Sequence, residues 1–166
     1  MASVVDLKGV SVLRGTATLL HDIDWTVEED ERWVVIGPNG AGKTTLLQLL
    51  SAHAHPSTGE VRLLGERLGK VDVFELRPRI GLTSAALADR IPRAESVGNV
   101  VVSASYAVIG RWRERYDVAD LRRAGQLMAQ LHIAHLSKRT FGTLSEGERK
   151  RVQIARALMT DPELLL

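Results

Sequence analysis

A glycine-rich segment near the start of the chain has the residue types and the spacing of a phosphate-binding loop. Residues 37–44 read Gly-Pro-Asn-Gly-Ala-Gly-Lys-Thr and match the pattern G-x-x-x-x-G-K-S/T in full. Glycines at 37, 40 and 42 allow backbone conformations in which successive N–H groups turn towards phosphate oxygens. A purely structural turn would explain the glycines but not the Lys-Thr pair that follows them. The predicted nucleotide-binding residues are Gly37, Pro38, Asn39, Gly40, Ala41, Gly42, Lys43, Thr44 and Thr45.

The surroundings of this loop fit the same chemistry. The apolar run at 33–36 predicts a strand before it, and the leucines at 46, 47, 49 and 50 predict a helix after it. The start of that helix would add roughly half a positive charge facing the same anion. Lys43 is expected to reach the β- and γ-phosphates, and Thr44 is expected to bind Mg²⁺.

A second motif lies near the end of the chain, at residues 144–148. Its residues are Leu144, Ser145, Glu146, Gly147 and Glu148. Ser followed three residues later by Glu, before an apolar-periodic stretch, predicts a helix capping box with Ser145 at the N-cap. The same geometry exposes free N–H groups that can stabilise an anion, so a structural cap and a phosphate clamp are compatible.

The two motifs together resemble the ATP-binding cassette (ABC) family over the whole chain. The resemblance rests on GPNGAGKTTLL at 37–47, HPSTGEV at 55–61 and LSEGERKRVQIARAL at 144–158. It implies an α/β fold of the P-loop NTPase type, with N-terminal antiparallel strands, a parallel-sheet core and a helical subdomain. The details look similar to the ATPases of iron-complex and molybdate importers.

The resemblance also implies how the two motifs work. In this family the signature of one subunit closes over the ATP held by the phosphate loop of a second subunit, so Ser145 and Gly147 would serve a partner's nucleotide. The expected cofactors are ATP and Mg²⁺. The expected partners are a second copy of the ATPase, in a homodimer, and a transmembrane permease, with no nucleic acid. The expected location is cytoplasmic, peripheral on the inner face of the membrane.

The last residues, 161–166, resemble the opening of the strand that in this family ends in the Walker B aspartate and the catalytic glutamate. Neither acid is found in the sequence, so we expect the complete domain to hydrolyse ATP and the 166-residue chain alone to be inactive. We read residues 1–166 as a partial ABC domain. Its predicted parts are 1–92, the first part of the ATP-binding core; 93–142, the helical subdomain; and 143–166, the signature helix and the start of the Walker B strand.

Two positions depart from the family pattern. The glutamine that senses the γ-phosphate should fall near Ala85, and alanine cannot take that role, although Ser84 offers a hydroxyl next to it. The aromatic residue that stacks on adenine should fall near Arg14. A guanidinium plane can stack on a base as well, but an exposed turn arginine is an equal alternative.

Composition agrees with a cytosolic mixed α/β domain of ordinary size, since 45% of the 166 residues are hydrophobic and 25% are charged. The absence of cysteine excludes disulfides and cysteine-bound metals. No apolar run reaches the roughly 18 residues of a membrane span, and the N-terminus has no signal-peptide pattern. A net charge of +2 is too small to indicate nucleic-acid binding. Basic clusters at 111–115 and 149–151, and the histidine pairs at 53/55 and 132/135, are read as surface residues rather than sites.

Hydrophobic periodicity predicts the remaining elements. Alternation at 10–12 and 23–27 predicts an antiparallel pair of strands, and further short strands are expected at 61–64 and 79–83. Residues 94–136 carry mostly helical patterns. The apolar stripe predicted there consists of Leu121, Leu127, Met128 and Leu131.

Three functions fit these observations. The first is the ATPase subunit of an ABC transporter that drives a separate membrane subunit. The second is a soluble ABC ATPase of translation or repair, although such proteins normally have paired cassettes or a long insertion. The third is a nucleotide-binding fragment that does not hydrolyse ATP, which the missing acids favour.

Overall fold

The computed structural model describes residues 3–106 and 115–166. The chain forms two compact units, the first at residues 1–80 with residue 166 and the second at 81–165. The phosphate loop belongs to the first unit and the signature to the second. Arg111 and Arg113 of the predicted basic cluster lie outside the described residues.

A four-stranded antiparallel sheet in the order β2-β1-β3-β4 dominates the first unit. Its strands are β1 (Ser3–Arg14), β2 (Ala17–Glu28), β3 (Thr58–Leu63) and β4 (Glu66–Arg67). The predicted pair of strands is confirmed, because β1 and β2 pair antiparallel from Ser3 opposite Glu28 to Arg14 opposite Ala17, with four register shifts along the way. The buried face of the sheet consists of Val5, Leu7, Val10, Val12, Leu20, Val27, Val61 and Leu63.

The strand predicted at 33–36 is not formed. Trp33, Val34, Val35 and Ile36 carry no strand assignment, and Val34 and Ile36 are 80% and 89% exposed. A strand depends on hydrogen-bonded neighbours, and none of the described strands pairs with this segment. Trp33 packs edge-on against Trp25 of β2 and donates from Nε1 to Glu31, while Glu31 also accepts from the Glu28 N–H. These two hydrogen bonds lower the pKa of Glu31, and the one from the Glu28 N–H has the larger effect.

Helix α1 (Lys43–Leu50) follows the phosphate loop as predicted. Its leucine side faces the interior, with Leu49 and Leu50 buried. Helix α2 (Val73–Leu76) begins at the N-cap Asp72, and a 3₁₀ helix at Arg77–Arg79 leads into β5 (Ile80–Gly81). The strand expected at 79–83 is therefore shorter than predicted.

The second unit is mostly helical, as predicted for residues 94–136 where they are described. It contains α3 (Ala85–Asp89), α4 (Val97–Val102), α5 (Val118–Gln130) and α6 (Glu146–Ala157), with 3₁₀ turns at Ser103–Tyr106, Ala134–Leu136 and Phe141–Thr143. One hydrophobic cluster joins α4, α5 and α6. Its buried members include Val100, Val101, Leu127, Met128 and Val152.

The stripe predicted on α5 is right for three of its four residues. Leu127 and Met128 are buried and Leu131 packs against the core, but Leu121 is 55% exposed. The core face of α5 is completed by Ala124, which lies four residues before Met128 on the same side of the helix. Periodicity alone favours the larger Leu121 as a core residue, whereas the close packing of α5 against α4 and α6 buries the smaller Ala124.

The C-terminal residues do form a short strand, β6 (Leu164–Leu165), in a two-stranded sheet with β5. Arg123 of α5 closes the end of α6, because its guanidinium donates to the carbonyl oxygens of Leu158 and Met159 at 2.8 and 2.9 Å. Among the described residues no helix is long and apolar enough to span a bilayer, and no group of three His, Cys, Asp or Glu side chains is suited to a metal ion.

Candidate functional site

The phosphate loop is held open by its own backbone. A turn closes between the Ala41 N–H and the Pro38 carbonyl at 3.2 Å, and Gly40 and Gly42 both have left-handed φ angles, 84° and 85°. Positive φ at these positions is what the glycines of the motif provide. The loop residues 37–41 are exposed.

Lys43 lies back across this loop. Its Nζ donates to the carbonyl oxygens of Gly37 and Pro38 at 2.6 and 2.7 Å. The ammonium is thereby held over the loop with one donor left, since a lysine has three donors and two contact these carbonyl oxygens. The sequence pattern predicted that Lys43 meets phosphate but gave no indication of these carbonyl partners.

Gly42 is the N-cap of α1 and accepts the first helical hydrogen bond from Leu46 N–H at 2.8 Å. A Cβ at this position would lie 2.5 Å from the Leu19 carbonyl oxygen and 2.8 Å from a Leu20 methyl. The phosphate loop is therefore pressed against β2. Sequence reasoning missed Leu19 as a neighbour of the site, because nothing local signals a contact across so many residues.

Gly40 and Gly42 allow the cost of a left-handed backbone to be separated from the cost of a steric clash with β2. Gly42→Ala is expected to lower the free energy of unfolding of this unit by about 2–5 kcal/mol, because left-handed φ and a backbone clash act together. Gly40→Ala shares the φ angle but meets nothing within 4 Å, so a loss of only about 1–2 kcal/mol is expected. Urea denaturation measures both, followed by tryptophan fluorescence in a Trp112→Phe background so that the signal comes from Trp25 and Trp33. Equal losses would contradict the close approach to β2.

The N-terminus of α1 has no side-chain cap, so the N–H groups of its first turn are left for a ligand. Thr44 lies in this turn with an exposed side chain. Mg²⁺ prefers oxygen ligands and usually keeps waters while binding through few protein groups and substrate phosphates. An exposed hydroxyl beside the free N–H groups fits that donor set, so Thr44 is the residue that would hold the ion.

Arg14 lies at the tip of the same hairpin that packs on the loop. Arg14 pairs with Ala17 across a tight turn, and Ala17 lies two residues before Leu19 in β2. The side chain of Arg14 is exposed. This exposed position fits both a residue that stacks on adenine and an exposed turn arginine, so the role of Arg14 stays a prediction. The tip lies within a few residues of the contact between β2 and Gly42.

The signature begins a helix in the way the capping box predicts. Ser145 is the N-cap of α6, its Oγ accepts from Glu148 N–H at 3.3 Å, and its own N–H donates to Glu148 Oε2 at 2.7 Å. Hydrogen bonds from the Ser145 N–H and hydroxyl, in that order, lower the pKa of Glu148, and the charges of Arg139 and His135 add to the effect. Leu144 is buried, while Ser145, Glu146 and Gly147 are exposed.

Nothing in the described part of the chain requires glycine at position 147. The φ of Gly147 is not left-handed, and a Cβ would meet nothing within 4 Å. Glycine in the first turn of a helix costs about 1 kcal/mol relative to alanine. Alanine at position 147 would therefore stabilise this unit more than glycine does.

The segment before α6 is hydrogen-bonded to residues 93–96, which precede α4. Phe141 N–H and Gly142 N–H donate to the carbonyl oxygens of Glu95 and Arg93, both at 2.8 Å, and Ser96 forms a bridge with Thr140. A Cβ on Gly142 would lie 2.9 Å from Arg93, so the two segments are in close contact. The signature is therefore carried by a braced loop.

The position where the family glutamine is expected also lies in the second unit. Ala85 is the first residue of α3, and the Ser84 hydroxyl next to it caps that helix by accepting from Leu87 N–H at 3.1 Å. Both line a cleft of about 230 Å³ together with Thr83, Lys150, Gln153 and Ile154. The Ser84 hydroxyl already has a structural partner, so the side chain next to Ala85 is a weaker substitute for glutamine than the sequence suggested.

Comparison with known proteins bears on the same residues. The sequence model of the family described as "ABC transporter" matches residues 20–166. The chain is 43% identical over 164 residues to the uncharacterized ABC transporter ATP-binding protein YlmA of Bacillus subtilis, covering 98% of this chain and 62% of that protein. It is 38% identical over 155 residues to the phosphonates import ATP-binding protein PhnC 1 of Ruegeria sp., covering 89% of this chain and 59% of that protein.

Among solved structures, the fold is similar to cbiO1 from Clostridium perfringens, described as part of the ABC transporter complex cbiONQ. The TM-score is 0.81 at 22% identity, covering 98% of this chain and 64% of that one. The chain spans about 62% of the length of YlmA, so it matches a part of its curated relatives. With the phosphate loop and the signature both inside the matched region, the chain belongs to the ABC transporter family and has the fold of its ATP-binding domain.

Proposed function

We propose that this chain is the ATP-binding part of an ABC transporter. It binds Mg-ATP at the phosphate loop and dimerises through the signature to drive transport by a separate membrane subunit. The single observation that carries the proposal is the loop at 37–44, where left-handed glycines, an ammonium held over the loop and an uncapped helix start converge on one anion site. The names of the relatives, an ABC transporter ATP-binding protein and a phosphonates import ATP-binding protein, support it.

In this proposal the loop binds the triphosphate mainly through its backbone. The N–H groups of residues 40–45 surround the phosphates, Lys43 exchanges its carbonyl contacts for the β- and γ-phosphate oxygens, and the α1 dipole adds to the attraction. Mg²⁺, held by Thr44, would supply charge neutralisation on the phosphates. The protein contributes a loop and a helix start that are already arranged to bind phosphate before ATP binds.

The signature serves the nucleotide of a second copy. Ser145 presents its hydroxyl and the free N–H groups of the α6 start, and Gly147 leaves the space above them open. A glycine that the chain does not need for itself is explained when another molecule must approach closely at that point. Of the remaining signature residues, Leu144 is buried, Glu148 completes the capping box and Glu146 pairs with Lys150 along α6.

Arg14 is proposed to stack on the adenine ring. Its exposed guanidinium lies at the tip of the hairpin that packs on Gly42, and a planar cation stacks well on an aromatic base.

The proposed partners are a second copy of the ATPase and a transmembrane permease. The proposed location follows from that permease: cytoplasmic, on the inner face of the membrane. The division into 1–92, 93–142 and 143–166 stays a prediction.

The 166-residue chain itself is expected to release no phosphate from Mg-ATP above background. Lys43 and Thr44 can hold the triphosphate, but phosphoryl transfer also needs a positioned water, and residues 1–166 contain no pair of acids in the family's arrangement after an apolar strand. The purified chain is assayed for phosphate release. It is compared with the full-length gene product, meaning the chain with any sequence encoded after Leu166.

ATP binding by the same samples is measured in parallel by calorimetry, and Lys43→Ala serves as the blank for hydrolysis. Phosphate release from the 166-residue chain that disappeared in Lys43→Ala would contradict the expectation and assign the missing role to an acid already present, such as Asp161 or Glu163. Failure of the full-length gene product to bind ATP would overturn the proposed function itself.

A further inference from the structure

We propose that Arg139 is a positioning residue for the signature. Its guanidinium links the loop before α6 to the first turn of that helix, so that Ser145 and the free N–H groups keep the orientation needed for a partner's ATP. The inference rests on the proposed function, because it concerns how the signature is held for a second copy.

Arg139 makes contacts on both sides of the N-cap. On the loop side its Nη2 donates to the Thr143 carbonyl at 2.7 Å and to the Thr143 hydroxyl at 3.3 Å. On the helix side its Nη1 lies 3.9 Å from Oε1 of Glu148, and the other oxygen of that carboxylate accepts from the Ser145 N–H at 2.7 Å. Arg139 is thus hydrogen-bonded to Thr143 before the N-cap and lies at ion-pair distance from the carboxylate that caps Ser145.

The other restraints on this loop lie further upstream or approach it from another side. Phe141 is buried, and the N–H groups of Phe141 and Gly142 are fixed by the carbonyl oxygens of residues 95 and 93. Arg149 of α6 donates to the Gly142 carbonyl at 3.0 Å, with its guanidinium carbon 5.9 Å from the centre of the Phe141 ring. Thr143 donates to the Thr140 carbonyl from its N–H at 3.0 Å and from its hydroxyl at 2.9 Å, and Leu144 is buried. Arg139 adds the link from Thr143 to the capping carboxylate of Glu148.

The planar guanidinium suits this role. It offers donors in a fixed fork, so one side chain can contact a carbonyl and a carboxylate together, which the single ammonium of a lysine does less well. Arg139 is also partly exposed, with 47% of its side chain accessible. Its hydrogen bonds to the core residues Val97 and Leu136 are made by its backbone, so they do not depend on the guanidinium. Its removal should therefore loosen the turn without unfolding the unit.

The test uses the full-length gene product. Arg139→Ala is expected to weaken ATP-dependent dimerisation about tenfold, the loss typical of a charge-assisted hydrogen bond. ATP binding by the monomer should stay within about twofold, because the phosphate loop belongs to the other unit. Amide hydrogen exchange should accelerate at Ser145 and Glu148 and stay unchanged in α4 and α5.

Two further variants sharpen the comparison. Lys138→Ala removes the neighbouring exposed cation and should leave dimerisation and exchange unchanged. Arg139→Lys keeps the charge without the fork and should fall between the wild type and Arg139→Ala, and it carries the test if Arg139→Ala does not fold. In a double-mutant cycle, Arg139→Ala and Glu148→Gln should be non-additive, because the first acts partly through the second.

Normal dimerisation of Arg139→Ala, beside a Ser145→Arg variant that does not dimerise, would overturn the positioning role and leave the proposed function intact. Faster exchange throughout the second unit would also overturn it, because Arg139 would then be a general stabiliser. Normal dimerisation of Ser145→Arg would remove the proposed function first, and this inference with it.

Discussion

Lys43→Ala in the full-length gene product is expected to raise the dissociation constant of Mg-ATP by about 10–100-fold, the loss of a charge-assisted contact to phosphate. The structure adds a second reason for a large effect. The same ammonium donates to the carbonyl oxygens of Gly37 and Pro38, so its removal also loosens the loop that surrounds the phosphates. Isothermal titration calorimetry of the two proteins measures the difference.

The matched control is Lys8→Ala. Lys8 belongs to the same unit, its side chain is 69% accessible and it pairs with Asp6 at 3.1 Å. This variant tests whether the loss of any positive charge lowers the affinity for a polyanion, and no more than about a twofold change is expected at physiological salt. An unchanged dissociation constant in Lys43→Ala would leave the phosphate-loop assignment without support.

Ser145→Arg is expected to abolish ATP-dependent dimerisation and hydrolysis of the full-length gene product while the monomer still binds ATP. A long cation at the N-cap removes the hydroxyl cap and fills the space in front of the free N–H groups of α6. Size-exclusion chromatography with a non-hydrolysable ATP analogue reports dimerisation, and calorimetry reports binding. A variant that dimerised and hydrolysed ATP at the normal rate would contradict the signature assignment.

Gly147→Ala separates local damage from a steric block. The residue has ordinary φ and open space around its Cβ position, so alanine should stabilise α6 by about 0.5–1 kcal/mol. Dimerisation should nevertheless fall, because the added methyl lies where the partner's nucleotide is proposed to approach. A variant that was more stable and dimerised normally would assign the signature a capping role alone.

Local patterns allowed much of this protein to be predicted. The capping box at Ser145 and Glu148 formed as the S-x-x-E spacing indicates, because both hydrogen bonds join residues three apart. The pairing of β1 with β2 followed from alternation over neighbouring segments. The left-handed φ angles of Gly40 and Gly42 likewise lie where the glycines of the loop pattern stand.

Other features depended on contacts between distant residues. The apolar run at 33–36 has the composition of a strand, yet it forms none, since pairing requires a neighbour that its own sequence does not specify. Leu121 has the period of a core residue, but Ala124 takes that position in the packing of α5. Short-range hydrogen bonds and backbone conformations can be predicted from the local sequence. Burial, the approach of Leu19 to Gly42 and the bridge from Arg139 to Glu148 were decided by the tertiary structure, because each joins groups that only the folded chain brings together.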